Sequence, residues 1–429
     1  MARIFIYSSN QIGTAMAGPA IRCWEFAKVL GHTHEVFLIA PQATTRQAEN
    51  FTILVLNDPS YKKLFPTVDV ILTQVLGCVL AWKAKRYGIK IILDAYTPTP
   101  LERFEQFKQE TLPIRQAWHH QAINQLILGF QLADHIICAS EKQRDLWIGF
   151  LLGQRCFGPS HYEVDASLRH LIDVVPFGLS ATAPKKDGPG LREYYSFQPQ
   201  DSILLWGGGI WNWFDPLSLI QAMKLLHSSH PTIKLVFMGI KNPDPSVKEM
   251  KMVQQARQLA DTLELTNQTV FFNTGWVPYH ERHNFLLDAT IGVSTHFEHL
   301  ETRYAFRTRM LDYLWTQLPI LATQGDTFAE LIEKHQLGKV VAYQDPVMIQ
   351  QAIIELIDNQ AEREKIKQRL SSISKQFQWQ QVIKPLDDAV IQLSHQPKKS
   401  LSLQTVKALL KYSVCQLKAK AVQKTCQMF

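Results

Sequence analysis

The chain has 429 residues, more than one hydrophobic core usually organises, so two domains are the expectation. Hydrophobic residues make up 46% and charged residues 19%, an ordinary globular composition with enough apolar material for two cores. The net charge of +7 sits entirely at the C-terminal end: residues 396–429 hold seven lysines and no acid, while residues 1–395 balance 38 basic against 38 acidic groups. The body of the chain therefore has no basic surplus, and no nucleic-acid partner is expected.

Six cysteines (Cys23, Cys78, Cys138, Cys156, Cys415 and Cys426) show no C-x-x-C or C-x-x-H pairing. That spacing argues against a disulfide framework or a structural zinc site and fits a reducing compartment. The start reads directly as a strand, and no apolar run reaches the roughly 18–20 residues of a membrane span. A cytoplasmic location is the expectation.

In chain order, Arg3–Ser8 is a short apolar strand. A turn-rich loop and a helix from about Pro19 follow, with proline where its missing N–H costs nothing. Strands are predicted at Glu35–Ala40, Val68–Thr73, Lys90–Asp94 and His135–Ala139, each leading to a helical stretch, and the last strand of this half at Ile172–Gly178. Residues 180–190 have the Pro/Gly/Lys composition of an exposed linker. The alternation then restarts with Ile203–Trp206 running into Gly207, Gly208 and Gly209. Further strands are predicted at Lys234–Gly239, Val270–Phe272, Ala289–Ser294, Pro319–Thr323 and Lys339–Ala342. Thr327-x-x-Glu330 has the form of a capping box, and Gly338 is placed to stop that helix.

This βαβ alternation predicts an α/β protein of two Rossmann-like domains. The boundaries are an N-terminal domain at 1–179, a linker at 180–195 and a C-terminal domain at 196–371. Terminal helices at 372–395 cross back to the N domain, and a basic tail occupies 396–429. Two such halves suggest a nucleotide, because strand carboxyl ends and helix N-termini form natural phosphate sites. Gly13-x-x-x-x-Gly18 is not the G-x-G-x-x-G of dinucleotide enzymes, and neither a P-loop nor a D-x-D metal pair is present.

A series of segments narrows the reading further. They are Gly18-Pro-Ala-Ile-Arg22, Ala139-Ser-Glu-Lys-Gln-Arg-Asp-Leu-Trp147, Val175-Pro-Phe-Gly178, Leu204–Pro216, Gly275-Trp-Val-Pro-Tyr279, Ser294–Arg303 and Phe306–Pro319. In this order they resemble the family 4 retaining glycosyltransferases, in particular a bacterial branch linked to surface polysaccharides and glycolipids. The resemblance implies a GT-B fold, two Rossmann-like domains facing each other across a cleft. It also implies a nucleoside-diphosphate sugar (UDP-, GDP- or another) on the C-terminal domain, an acceptor on the N-terminal domain, and neither metal nor cofactor. Retention would follow from same-face attack in which a donor phosphate oxygen takes the acceptor's proton.

The resemblance also assigns residues. Asp312 stands where the family has the second glutamate of an E-x7-E pair, which binds the ribose hydroxyls; a carboxylate suits a vicinal diol because it accepts two hydrogen bonds. The family's Arg/Lys diphosphate clamp is missing, its positions being Gly209 and Phe214. Arg303, Arg307 and Arg309, just ahead of Asp312, are the candidate replacements, at least one of them through its fork-shaped guanidinium; a basic surface turn is the alternative. Glu301 and Glu298 compete for the first glutamate, which meets the donor sugar, because Tyr304 holds the standard position. Gly207–Gly209 and Gly18, with Gly13, would let backbone N–H groups approach the diphosphate, although turn glycines would read the same way. Asn212 joins them, and Trp211 and Trp213 either stack on base or sugar or pack internally. Asp94, with Glu102, is placed to meet acceptor or sugar, and Phe104, Phe107 and Trp118 either shape an apolar acceptor site or pack their helices. His296 and His299 read as loop residues.

In the tail, Leu403, Val406, Leu410, Val414, Leu417 and Ala421 form a helical stripe bordered by lysines, which suits an anionic membrane surface on the inner face of the cell membrane. Docking on the protein itself, a dimer contact and disorder are the alternatives. The expected activity is sugar transfer to a glycolipid or polysaccharide acceptor. The alternatives are a nucleotide-sugar epimerase or hydrolase on the same fold, and a nucleotide-binding module without turnover.

Overall fold

The computed structural model describes residues 1–240, 249–398, 409–410 and 412–413. Most of the tail stripe and its lysines, with Cys415 and Cys426, lie outside the described residues.

Two compact units divide the chain. The first comprises Met1–Gly13, Gly18–Pro176 and Val382–Phe429, and the second Thr14–Ala17 with Phe177–Gln381. The first holds a parallel sheet of β1 (Arg3–Tyr7), β2 (Glu35–Ala40), β3 (Thr52–Val55), β4 (Val70–Thr73), β5 (Lys90–Asp94), β6 (His135–Cys138) and β7 (Ile172–Val174). Its seven strands run in the order β3-β2-β1-β4-β5-β6-β7. The second unit holds β8 (Ser202–Trp206), β9 (Ile233–Phe237), β10 (Val270–Phe272), β11 (Ile291–Ser294), β12 (Ile320–Thr323) and β13 (Gly338–Val341). Its six strands run β10-β9-β8-β11-β12-β13. Both orders reverse direction beside their first strand, the doubly wound arrangement in which ligands bind at the strand carboxyl ends. This is the GT-B pair of Rossmann-like sheets.

The strands are apolar because both faces are covered by helices. In the first unit Phe5 pairs in register with Phe37 and Ile71, and all three join Tyr61, Phe65 and Ile91 in one buried cluster. Each such side chain contributes roughly 1.5–3 kcal/mol by leaving water.

The local punctuation differs from the pattern in three places. The strand expected to run to Gly178 ends at Val174, and Pro176, which lacks a ladder donor, follows. Thr327 is the first helical residue rather than the cap: Asp326 caps the helix Thr327–His335 by accepting from the Ala329 N–H. That helix stops at Gln336 in the left-handed region, and Gly338 opens β13 instead. The edge strand β3 has no counterpart among the predicted strands, because four residues with one buried side chain carry little periodicity.

Residues 180–190 are largely exposed but fastened to the second unit. Asp187 accepts from His283 Nε2 (2.8 Å) and Asn284 Nδ2 (3.1 Å), and Lys186 bridges Glu193 and Asp288. Among the described residues no helix is long and apolar enough to cross a membrane.

Candidate active site

The switch point of the second sheet lies between β8 and β11, and the glycine loop Gly207–Gly209 follows β8 there. Gly207 N–H donates to Tyr313 Oη at 2.8 Å, and that hydroxyl lies 2.9 Å from the carbonyl oxygens of Leu205 and Val293. One tyrosine thus joins the ends of β8 and β11. Gly292 admits it: a Cβ there would lie 2.5 Å from the Tyr313 ring. Gly208 takes φ +85°, a left-handed turn that glycine adopts without steric cost.

Arg309 reaches this glycine loop. Its Nη2 donates to Gly209 O at 2.8 Å, and its guanidinium lies over the rings of Trp206 (4.6 Å) and Phe214 (4.3 Å). Burial, opposed only in part by Tyr313, lowers its pKa to about 10. Its Nη1 is buried without a hydrogen-bond partner among the described residues. An orphaned buried donor is costly, about 1–3 kcal/mol or more for a charged group, so this atom is suited to an incoming anion.

The three arginines are not equivalent. Arg307 is buried and gives both arms of its fork to Glu301, at 2.7 and 2.6 Å. Glu301 is itself 2% exposed, so the carboxylate expected to meet a sugar is already engaged. Arg303 is exposed and stands over its neighbour Tyr304. Glu298 is exposed, and its charge, after burial, raises the pKa of Tyr343. Asn212 accepts from the backbone N–H of Met252 and so anchors a helix N-terminus. Trp211 and Trp213 stack on each other at 5.4 Å. The indole of Trp276 walls the same loop, within 3.6 Å of where a Cβ of Gly209 would be.

Asp312 lies on the helix Arg309–Trp315, partly exposed, and accepts from Arg282 Nε at 2.9 Å. Arg282 is held in turn by Tyr279 O and by the rings of Tyr279 (3.9 Å) and Trp315 (4.8 Å). The sequence reading missed Arg282; the signal available was its place after Gly275–Tyr279. His296, expected on a loop, is fully buried, with neither ring nitrogen hydrogen-bonded among the described residues. Burial, then the Arg307 charge, pushes its pKa well down. His299 caps the short helix Leu300–Tyr304 by accepting from Thr302 N–H.

In the first unit the resembling segments converge on one buried ion pair. Arg22 donates to both oxygens of Asp94 (2.8 and 2.9 Å) and to the carbonyls of Val175 and Pro176. Gln143 and Trp147 donate to the carbonyls of Tyr96 and Ala95. Asp94, expected to face an acceptor, is 3% exposed and serves instead to fix the loop after β5. Gly18 begins the helix Gly18–Leu30, and nothing crowds a Cβ at Gly18 or Gly13. Phe107, just past the helix Thr99–Gln106, stacks on Trp118 at 5.0 Å, and Phe104 within it stacks on His119 at 4.8 Å, so these rings pack against the helix Leu112–Leu132. Among the described residues no group of three or more His, Cys, Asp or Glu is placed to hold a metal ion.

Residues 212–371 match the family described as Glycosyl transferases group 1. No curated protein matches the sequence. Similar solved structures include sucrose-phosphate synthase from Thermosynechococcus elongatus, with TM-score 0.63 and 14% identity over 92% of this chain and 99% of that one. Anabaena HepE in complex with UDP and glucose has TM-score 0.63 and 12% identity over 91% of this chain and 100% of that one. WaaG, a glycosyltransferase involved in lipopolysaccharide biosynthesis, has TM-score 0.57 and 14% identity over 90% and 99%.

Proposed function

We propose, for a chain whose residues 212–371 match the group 1 glycosyltransferases, the retaining, metal-independent transfer of a sugar from a nucleoside-diphosphate sugar to a glycolipid or polysaccharide acceptor. The observation that carries this reading is Arg309: a buried guanidinium with a free Nη1 beside the glycine loop at the switch point. In this reading it meets the charge that develops on the diphosphate leaving group, and preorganised donors in a dry site are the strongest form of such stabilisation. Asp312, steadied by Arg282, keeps its other oxygen for the ribose hydroxyls. UDP is the first donor base to test, because HepE is known with UDP and glucose.

The first unit supplies the acceptor side, and the basic C-terminal segment holds the protein on an anionic membrane surface as a peripheral, cytoplasmic enzyme. A second reading, nucleotide binding without turnover, is favoured by the Glu301–Arg307 pair, which occupies the carboxylate that would otherwise meet the sugar.

A donor panel with and without glycosyl acceptors distinguishes these readings. Transfer that requires acceptor and survives EDTA supports the proposal. Release of nucleoside diphosphate without acceptor makes the protein a hydrolase, and epimerised donor makes it an epimerase. Nucleotide binding with no turnover of any donor supports the binding module.

A further inference from the structure

The helix Cys78–Arg86 of the first unit turns an unusual face to solvent. Val79 is 69% exposed and Trp82 42%, with Val75 and Tyr87 exposed at the two ends. Its inner side, Ala81 and Ala84, is packed into the core, so the helix is held firmly while its large apolar side chains point outward. The helix contains no acid and ends in Lys83, Lys85 and Arg86. Lys85 pairs with Asp134, whereas Arg86 is exposed, with its guanidinium over the Trp82 ring at 5.2 Å.

The described residues of the C-terminal segment are fastened at both ends of this helix. At its C-terminal end, Lys398 donates to Val68 O, and its Cβ lies where a Cβ of Gly88 would approach within 2.6 Å. At its N-terminal end Leu409 and Tyr412 are buried in the core cluster, with Leu409 O 3.8 Å from Cys78 Sγ. Leu410, between them, is 63% exposed. Lys398, Leu409 and Tyr412, which belong to a segment whose sequence has seven lysines and no acid, are therefore anchored beside an exposed valine and tryptophan.

We propose that the outer face of the helix Cys78–Arg86, through Val79, Trp82 and Arg86, lies on an anionic lipid bilayer together with the C-terminal segment. This rests on the membrane reading of that segment given above and names a second, folded element that shares it. Charge complementarity selects the partner. The apolar side chains enter the interface, where an indole is favourably placed, while the basic groups meet headgroup phosphates. Apolar insertion also makes the contact less salt-sensitive than lysines alone, because only the electrostatic part is screened.

The test is cosedimentation of the full-length protein with phosphatidylglycerol/phosphatidylcholine vesicles and with pure phosphatidylcholine vesicles, at low and high salt. Wild-type protein and Val79→Leu should bind the anionic vesicles and not the neutral ones. Val79→Asp and Trp82→Gln should each weaken that binding by about ten-fold; for Trp82→Gln, which removes an inserted side chain without adding charge, the relative loss should be larger at high salt. Both positions are exposed, so melting temperature and turnover of a soluble acceptor should not change. Wild-type affinity in both variants overturns the role of this helix while leaving the C-terminal segment as the membrane contact. No binding of wild-type protein to anionic vesicles overturns both readings. A dimer that Val79→Asp dissolves, without vesicle binding, assigns the face to a second copy of the chain and overturns the proposal.

Discussion

Arg282 Nε lies 2.9 Å from Asp312 Oδ1, so the carboxylate proposed to hold the nucleotide ribose is oriented by a cation from a neighbouring helix. Arg282 is sandwiched by Tyr279 and Trp315, which leaves it little freedom to follow a ligand. Asp312→Ala should cost about 1.5–3 kcal/mol of nucleoside-diphosphate affinity, or roughly ten- to a hundred-fold. Arg282→Lys keeps the charge but loses the stacked plane, and should weaken the same ligand by a smaller factor. Calorimetry with UDP and GDP measures both, and unchanged affinity in Asp312→Ala removes that residue from the site.

The arginines at 307 and 309 should separate under mutation. Arg307→Ala leaves Glu301 buried and unpaired, and loss of one partner from a buried pair costs about 3–5 kcal/mol of stability. Arg309→Lys preserves charge but loses the Nη1 donor and the stack on Trp206 and Phe214, so turnover should fall while the melting temperature changes little. Exposed Arg303→Lys should do neither. Thermal melts alongside donor turnover decide it; full activity in Arg309→Lys would mean the diphosphate is held elsewhere.

His296 makes folding pH-dependent. Its pKa is depressed in the fold below the ordinary 6.5, so the folded chain favours the neutral ring while the unfolded chain takes up a proton as pH falls through that value. The contribution is complete above about pH 6.5 and is lost progressively below it, at up to about 1.4 kcal/mol per pH unit. His135, lowered by burial, acts in the same direction. Urea melts from pH 7.5 to 5 should therefore show a shallower slope for His296→Gln than for wild type. Parallel slopes would contradict the assignment.

Gly292→Ala should destabilise the second unit by about 1–3 kcal/mol, because a Cβ there meets the Tyr313 ring at 2.5 Å and the core must move. Combining it with Tyr313→Leu should recover part of that loss by making room. Denaturant titration of the single and double variants checks this, and additive losses would show that the two positions do not share space.

The doubled α/β pattern, the strands themselves and the glycine loop after β8 were legible from the sequence. A two-faced parallel strand must be apolar along its whole length, and three consecutive glycines fit neither helix nor strand. Asp312 and the arginines were singled out by the resembling segments, not by periodicity. Which of those charges is free was decided by tertiary structure alone. Arg22 and Asp94 are 72 residues apart, and Arg282 and Asp312 are 30, so no periodicity announces either pair. Glu301 and Arg307 are close in sequence, yet only burial turns that proximity into a closed fork, since exposed charges so spaced would remain solvated. Residue types and local spacing thus fixed the sheet order's raw material and the candidate chemistry. Packing at long range, through desolvation, decided which candidates are satisfied by the protein and which, like Arg309 Nη1, keep a buried donor without a partner among the described residues.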